Sequence, residues 1–177
     1  MIKMIIRLSK KMAVKIKENS LSQMEPASDP ILDWHAHLFT HNRVQYVMVS
    51  HSTTLFSIFF HGQGVTDFNA FFKRMTSMLS QVCTDLGIGD FYEKAVAPNT
   101  GSVQLAKAQD KKIIGSMNDN INQAKWLLED GDLSPYDLNF KVNKNLLSML
   151  KYDSPEERFL ALAGKPVLRL WVNKEKV

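Results

Sequence analysis

The feature that most restricts the fold is a change of hydrophobic period near residue 62. Val44, Tyr46 and Met48 alternate with Gln45, Val47 and Val49, the two-residue period of a strand, apolar on both sides for part of its length. Residues 53–60 are β-branched and aromatic, and Ser50-His51-Ser52 between the two runs is short enough for a hairpin. Past His61-Gly62-Gln63-Gly64 the period becomes helical. Phe68, Phe72, Met75, Leu79, Val82 and Leu86 recur at steps of three and four, with Thr66 or Asp67 as N-cap and Gly87 as stop.

The other segments are shorter. Residues 4–9 read as a strand with a basic outer face, followed by a Lys-rich helical turn to Lys17, a surface loop over 18–30, and an unusual stretch at 33–39. Residues 91–97 and 138–142 have strand-like patterns, 102–112 fit strand or helix, and 145–150 fit one helical turn. Met117, Ile121, Ala124 and Leu128 form a helical face ending at Gly131, with Ser116 and Asp119 placed like a capping box. Leu133-Ser134-Pro135 reads as a turn. Ser154-Pro155-Glu156-Glu157 starts a helix that Gly164 stops, and 167–172 alternate as a closing strand. Strands and helices without regular βα alternation predict a single α+β domain over residues 1–177. Its sheet should be largely antiparallel, with about three to four helices packed on it.

Charge and composition narrow the setting. The 177 residues carry a formal net charge of +4, and six cations (Lys3, Arg7, Lys10, Lys11, Lys15, Lys17) precede the first acid. Lys165, Arg169, Lys174 and Lys176 stand against Glu175 at the other end. Basic termini lying side by side would form a patch for a nucleic acid or protein partner, while a solvated basic edge is the plainer reading. The single cysteine, Cys83, allows no internal disulfide and fits a reducing compartment. No stretch approaches the roughly 20 apolar residues of a membrane span, so the cytoplasm is expected and no membrane. The oligomeric state is open.

All five histidines (His35, His37, His41, His51, His61) fall in one window. His35 and His37 on a strand would share a face, and His41, His51 or Asp33 could complete a metal site. The spacing matches no zinc signature, and separate strand-end histidines are the ordinary explanation, so no metal and no cofactor are expected. Trp34 reads as a core anchor. Gly115-Ser116-Met117-Asn118-Asp119 opens a helix that could hold an anion, but no Walker lysine or Gly-x-Gly-x-x-Gly accompanies it. Cys83 sits beside the long helical stripe as an inert buried thiol.

The motifs Arg7-Leu8-Ser9-Lys10-Lys11, Asp33-Trp34-His35-Ala36-x-Leu38-Phe39, Asn42-Arg43-x-Gln45-Tyr46, Gly101-Ser102-Val103, Gly115 to Asp119 and Leu133-Ser134-Pro135 run over most of the chain. Together they resemble an uncharacterised bacterial domain family. The resemblance implies no activity or mechanism, places the natural start at Met4, and includes His35 in its pattern but not His37, which is often Asn there. The polar candidates for ligand binding are therefore His35, Asn42, Arg43, Ser116, Asn118 and Asp119. Arg43 suits a phosphate or carboxylate and Asn118 a base or amide edge, unless Arg43 and Asp119 simply pair with each other. The expectation is a small binding or regulatory module without catalytic activity. The alternative is a hydrolase or phosphotransfer-type enzyme, with His35 as general base and Arg43 and Ser116 binding an oxyanion.

Overall fold

In β2 (Asp33–His41) and β3 (Val44–His51) the chain forms the longest pairing of its sheet. Asn42 and Arg43 join these strands with φ of 47° and 65°. Two successive positive φ values define the type I′ turn, whose twist matches that of the flanking strands. β4 (Ser57–His61) returns antiparallel to β3 after a connection over 52–56, longer than the three-residue link expected. β1 (Met4–Leu8) and β5 (Val103–Lys107) complete the order β4-β3-β2-β1-β5, with β1 parallel to both neighbours. The computed structural model describes residues 2–165, and they form an α+β domain on a mixed, mostly antiparallel sheet.

Among the described residues six helices flank the sheet. α1 (Lys10–Lys15) starts at Ser9, whose hydroxyl accepts from the Met12 N–H. α2 (Phe68–Asp85) is capped by Asp67 and buries Phe71, Met75, Leu79, Val82 and Cys83. At its end Gly87 takes φ +75°, which lets the Ile88 N–H reach back to the Cys83 carbonyl. α3 (Gly89–Phe91) runs into a π-helical turn, Tyr92–Val96, where a strand was expected. Tyr92 and Val96 lie one turn apart and both are buried, so the apolar spacing suited a helix equally well.

α4 (Lys111–Leu128) begins earlier than the reading at Ser116, because Asp110 caps the Lys112 and Ile113 N–H groups. Ser116 therefore lies inside the helix, and its first turn offers no anion site there. α5 (Pro135–Lys141) replaces the strand expected at 138–142. Ser134 and Asp137 form a capping box, and Leu138 is buried on its inner face. α6 (Pro155–Leu162) starts at Ser154, as its sequence indicates. The strand expected at 167–172 lies outside the described residues.

Strand alternation sorts the core into two faces. Ile6, Leu8, Trp34, Ala36, Leu38, Val47 and Val49 pack with α2 and with Phe159 of α6. Phe39, Tyr46, Met48 and Phe59 pack with Met117, Ile121 and Ala124 of α4 and Leu138 of α5. Trp34 is fully buried, edge-on to His51 and Phe159, with its indole N–H donating to the Ile31 carbonyl. The outer edge of β4 is closed by side chains. Asn139 accepts from the Phe59 N–H, and Asn143 accepts from the Ser57 N–H while donating to the Ser57 carbonyl. Two asparagines at i and i+4 on helical backbone thus stand where another strand would pair.

Candidate functional site

Arg7 is a cation in an otherwise apolar strand, and it is 5% exposed. A buried guanidinium requires a counter-charge. Asp33, 4% exposed on the neighbouring strand, supplies it: Arg7 Nε donates to Oδ1 and Nη2 to Oδ2, each at 2.9 Å. Arg7 also donates to the carbonyls of Met24 and Glu25, while the Ala27 N–H donates to Asp33 Oδ2. The loop over 18–30 is thus tied to the sheet by one ion pair. Burial works to raise the Asp33 carboxyl, but hydrogen bonds from Arg7, Ser52 and Ala27 outweigh it and hold the group below its ordinary value.

The network continues to His35. Ser52 Oγ donates to Asp33 Oδ1 at 2.7 Å, which uses the only hydroxyl proton. His35 Nδ1 lies 2.8 Å from Ser52 Oγ, so Nδ1 must carry a hydrogen and donate. That fixes the tautomer and leaves Nε2 as a bare acceptor. His35 is 2% exposed, and its Nε2 is buried without a partner among the described residues. Burial pushes the imidazole down to about 4, with the Asp33 charge opposing only in part. At neutral pH His35 is an uncharged, oriented hydrogen-bond acceptor.

His35 lines two cavities beneath the first turns of α4. The smaller, about 240 Å³, is also walled by Arg7, Asp33, Ser52 and Asp110. The larger, about 540 Å³, is also walled by Lys10, His37, Lys107 and Asn118. It shares Lys10, Val14, His37 and Asn118 with an open groove of about 950 Å³ between α1 and α4, whose further walls include Lys11, Lys15, Gln45, Asn122 and Lys125.

The origin of this groove is a mismatch of strand lengths. The pairing of β1 with β2 ends at Leu8 and Ala36, while β2 runs on to His41. The Ala36 carbonyl accepts from the Ser9 N–H, so by the two-residue period the backbone groups of Leu38 and Thr40 face the same open side. Among the described residues four lysines surround this edge and no acid lines it. Burial, then the charges of Lys11 and Lys125, lower the pKa of His37 from its ordinary value.

Of the six ligand candidates, the structure brings His35 and Asn118 together on the 540 Å³ cavity. Asn42 and Arg43 are exposed turn residues at the far end of β2, roughly 20 Å along the strand from His35. Ser116 Oγ contacts Met149 Sδ at 3.5 Å, away from both cavities that His35 lines. Asp119 is exposed on α4, and the ion pair weighed between Arg43 and Asp119 does not form among the described residues.

His41 instead meets Glu129 at 2.9 Å. His51 is buried between Pro30 and Thr54. Its Nε2 donates to the Pro30 carbonyl, so Nδ1 accepts from Thr54 Oγ1, and burial lowers its pKa to about 4. His61 is exposed and stacks on Tyr46. No group of three or more His, Cys, Asp or Glu side chains is placed to hold a metal among the described residues.

The sequence reading missed Arg7 and Ser52 as partners of Asp33 and His35, and it missed Lys125, Asn122 and Gln45. One signal was available: a lone arginine inside Met4-Ile5-Ile6-Arg7-Leu8 implies a buried acid nearby.

An α+β domain with a buried Arg-Asp-Ser-His network beside a lysine-lined groove is the class that fold and site define. The chain belongs to the family described as domain of unknown function DUF6933, whose model matches residues 5–158. No curated protein and no solved structure matches it. No helix among the described residues is long and apolar enough to cross a membrane.

Proposed function

We propose that this chain is a non-catalytic binding module that holds a single strand of nucleic acid in the groove between α1 and α4. The observation that carries the reading is the groove wall itself: Lys10, Lys11, Lys15 and Lys125 around an open strand edge, with no acid among the lining residues. Lysines and backbone N–H groups on the open edge suit phosphate oxygens, and the amides of Asn118 and Asn122 suit base edges, while Gln45 Oε1 accepts from Lys15 Nζ at 2.7 Å. Trp126, one turn beyond Asn122 on α4, is 74% exposed and offers a face on which a base can stack. The basic N-terminal run thus acts through α1. Its companion at the C-terminus beyond Lys165 lies outside the described residues.

The hydrolase alternative needs Arg43 and Ser116 beside His35, and both lie elsewhere, which leaves that reaction without its oxyanion binders. A lone buried thiol suits a reducing compartment, consistent with a cytoplasmic site of action.

The test is fluorescence anisotropy with labelled single- and double-stranded RNA and DNA at two salt concentrations. The reading expects single strands to bind and the affinity to fall steeply with salt. Absence of binding at low salt, or a preference for duplex, would contradict it.

A further inference from the structure

We infer that the cavity beside His35 is a base-reading subsite of the groove, taking one unstacked nucleobase whose N–H group donates to His35 Nε2. The inference rests on the nucleic-acid reading above and adds the position at which the strand is read. Three observations point to it. First, Nε2 is a buried acceptor with no partner, and a buried polar atom left unpaired favours a ligand that supplies the missing half. Second, the ring is not free to adapt. Ser52, Asp33 and Arg7 hold Nδ1 as the donor and Nε2 as the acceptor, so the site selects a donor and rejects an acceptor at that point. Third, the 540 Å³ cavity adjoins the lysine groove, with Lys10, Val14, His37 and Asn118 lining both. That volume falls in the range of small-ligand sites.

The chemistry of the walls sorts the ligand. Lys10 and Lys107 stand at the cavity with Glu18 as its one acid, so the phosphate of the same nucleotide has cations within reach while its base is inside. Asn118 offers both an amide donor and an acceptor to a base edge. Leu8, Ala36, Ile114 and Met117 supply apolar surface for the ring faces. Protonation of His35 would turn the acceptor into a donor, and burial keeps that form scarce near neutrality. The charges that bear on His35 are Asp33 on its own strand, Arg7 on β1 and Asp110 at the start of α4.

The experiment compares the affinity of the full chain for two strands of equal length and charge, one carrying bases and one with abasic residues, in wild type and in His35→Phe and His35→Gln. Wild type is expected to prefer the base-carrying strand by roughly tenfold, the worth of one buried hydrogen bond and its unmet alternative. His35→Phe is expected to abolish the preference while leaving the salt slope unchanged. His35→Gln, which retains an acceptor and a size close to the ring, is expected to restore part of it and guards against loss through misfolding. Equal affinity for the two strands in wild type overturns the subsite. An unchanged preference in His35→Phe overturns it as well. Both results leave lysine-dependent binding intact, so they are separable from failure of the groove itself, which appears as loss of binding to either strand.

Discussion

Removing the carboxylate of Asp33 should damage this protein more than removing any other single surface-distant polar group described above. Asp33 accepts from Arg7 Nε and Nη2, from Ser52 Oγ and from the Ala27 N–H, all at 2.7 to 2.9 Å. In Asp33→Ala the Arg7 guanidinium stays buried at 5% exposure with only the Met24 and Glu25 carbonyls to receive it. An uncompensated buried charge costs about 3–5 kcal/mol, against a total stability of about 5–15 kcal/mol for such a domain. Replacing both partners with apolar residues removes the charge as well as the pair. The double variant Arg7→Met with Asp33→Leu should therefore lose much less than the sum of the two single variants. Urea denaturation at pH 7.5 measures all four proteins, and urea is chosen because guanidinium would screen the pair. A loss below about 1 kcal/mol in Asp33→Ala, or additivity in the double variant, would refute the argument that this pair is a closed electrostatic unit.

Three further outcomes follow from the same structure. His35 and His51 are neutral when folded, with pKa values near 4 against 6.5 in an open chain, so the unfolded state takes up protons first as pH falls. Stability is then full above 6.5 and lost progressively toward 4, by on the order of 2 kcal/mol per histidine at pH 5; equal urea midpoints at pH 7.5 and 5.0 would contradict this. Asn143→Ala leaves the Ser57 N–H and carbonyl without their partner at the edge of β4, which should cost about 1–3 kcal/mol and strip hydrogen-exchange protection from Ser57 first. Burial pushes the Cys83 thiol up to about 12, so a thiol reagent at pH 8 should label the folded protein only as fast as it opens; prompt labelling would show the helix packing to be wrong.

Much of the frame was legible because it follows from local spacing. The middle of the stripe on α2 (Met75, Leu79, Val82), an N-cap at Thr66 or Asp67, the Ser154 helix start and the hairpin pattern each reflect interactions within a few residues. The failures share a cause. Residues 91–97 and 138–142 carry apolar residues at both two- and four-residue steps, and tertiary packing decided for helix: the first segment packs beside α2, with the Tyr92 hydroxyl donating to the Thr76 carbonyl, and the second packs on β4. Ser116 resembled a cap, yet Asp110 captured the start of α4 because its carboxylate reaches the Lys112 and Ile113 N–H groups. The candidate site was only partly legible. His35 and Asn118 were named, but the Arg7-Asp33-Ser52 support joins positions 7, 33 and 52, and the parallel register of β1 on β2 is not written in any local pattern. The groove depends on β2 outrunning β1, which is likewise a property of two strands and not of one.

The most direct measurement is the salt dependence of single-strand affinity for wild type and for the combined variant Lys10→Gln, Lys11→Gln, Lys125→Gln. If these lysines hold phosphates, the wild-type plot of log affinity against log salt should fall steeply. Three lost contacts should then flatten the slope by about 2, at roughly 0.7 per contact on single strands. A wild type that does not bind at low salt, or a triple variant with an unchanged slope, would contradict the assignment of the groove.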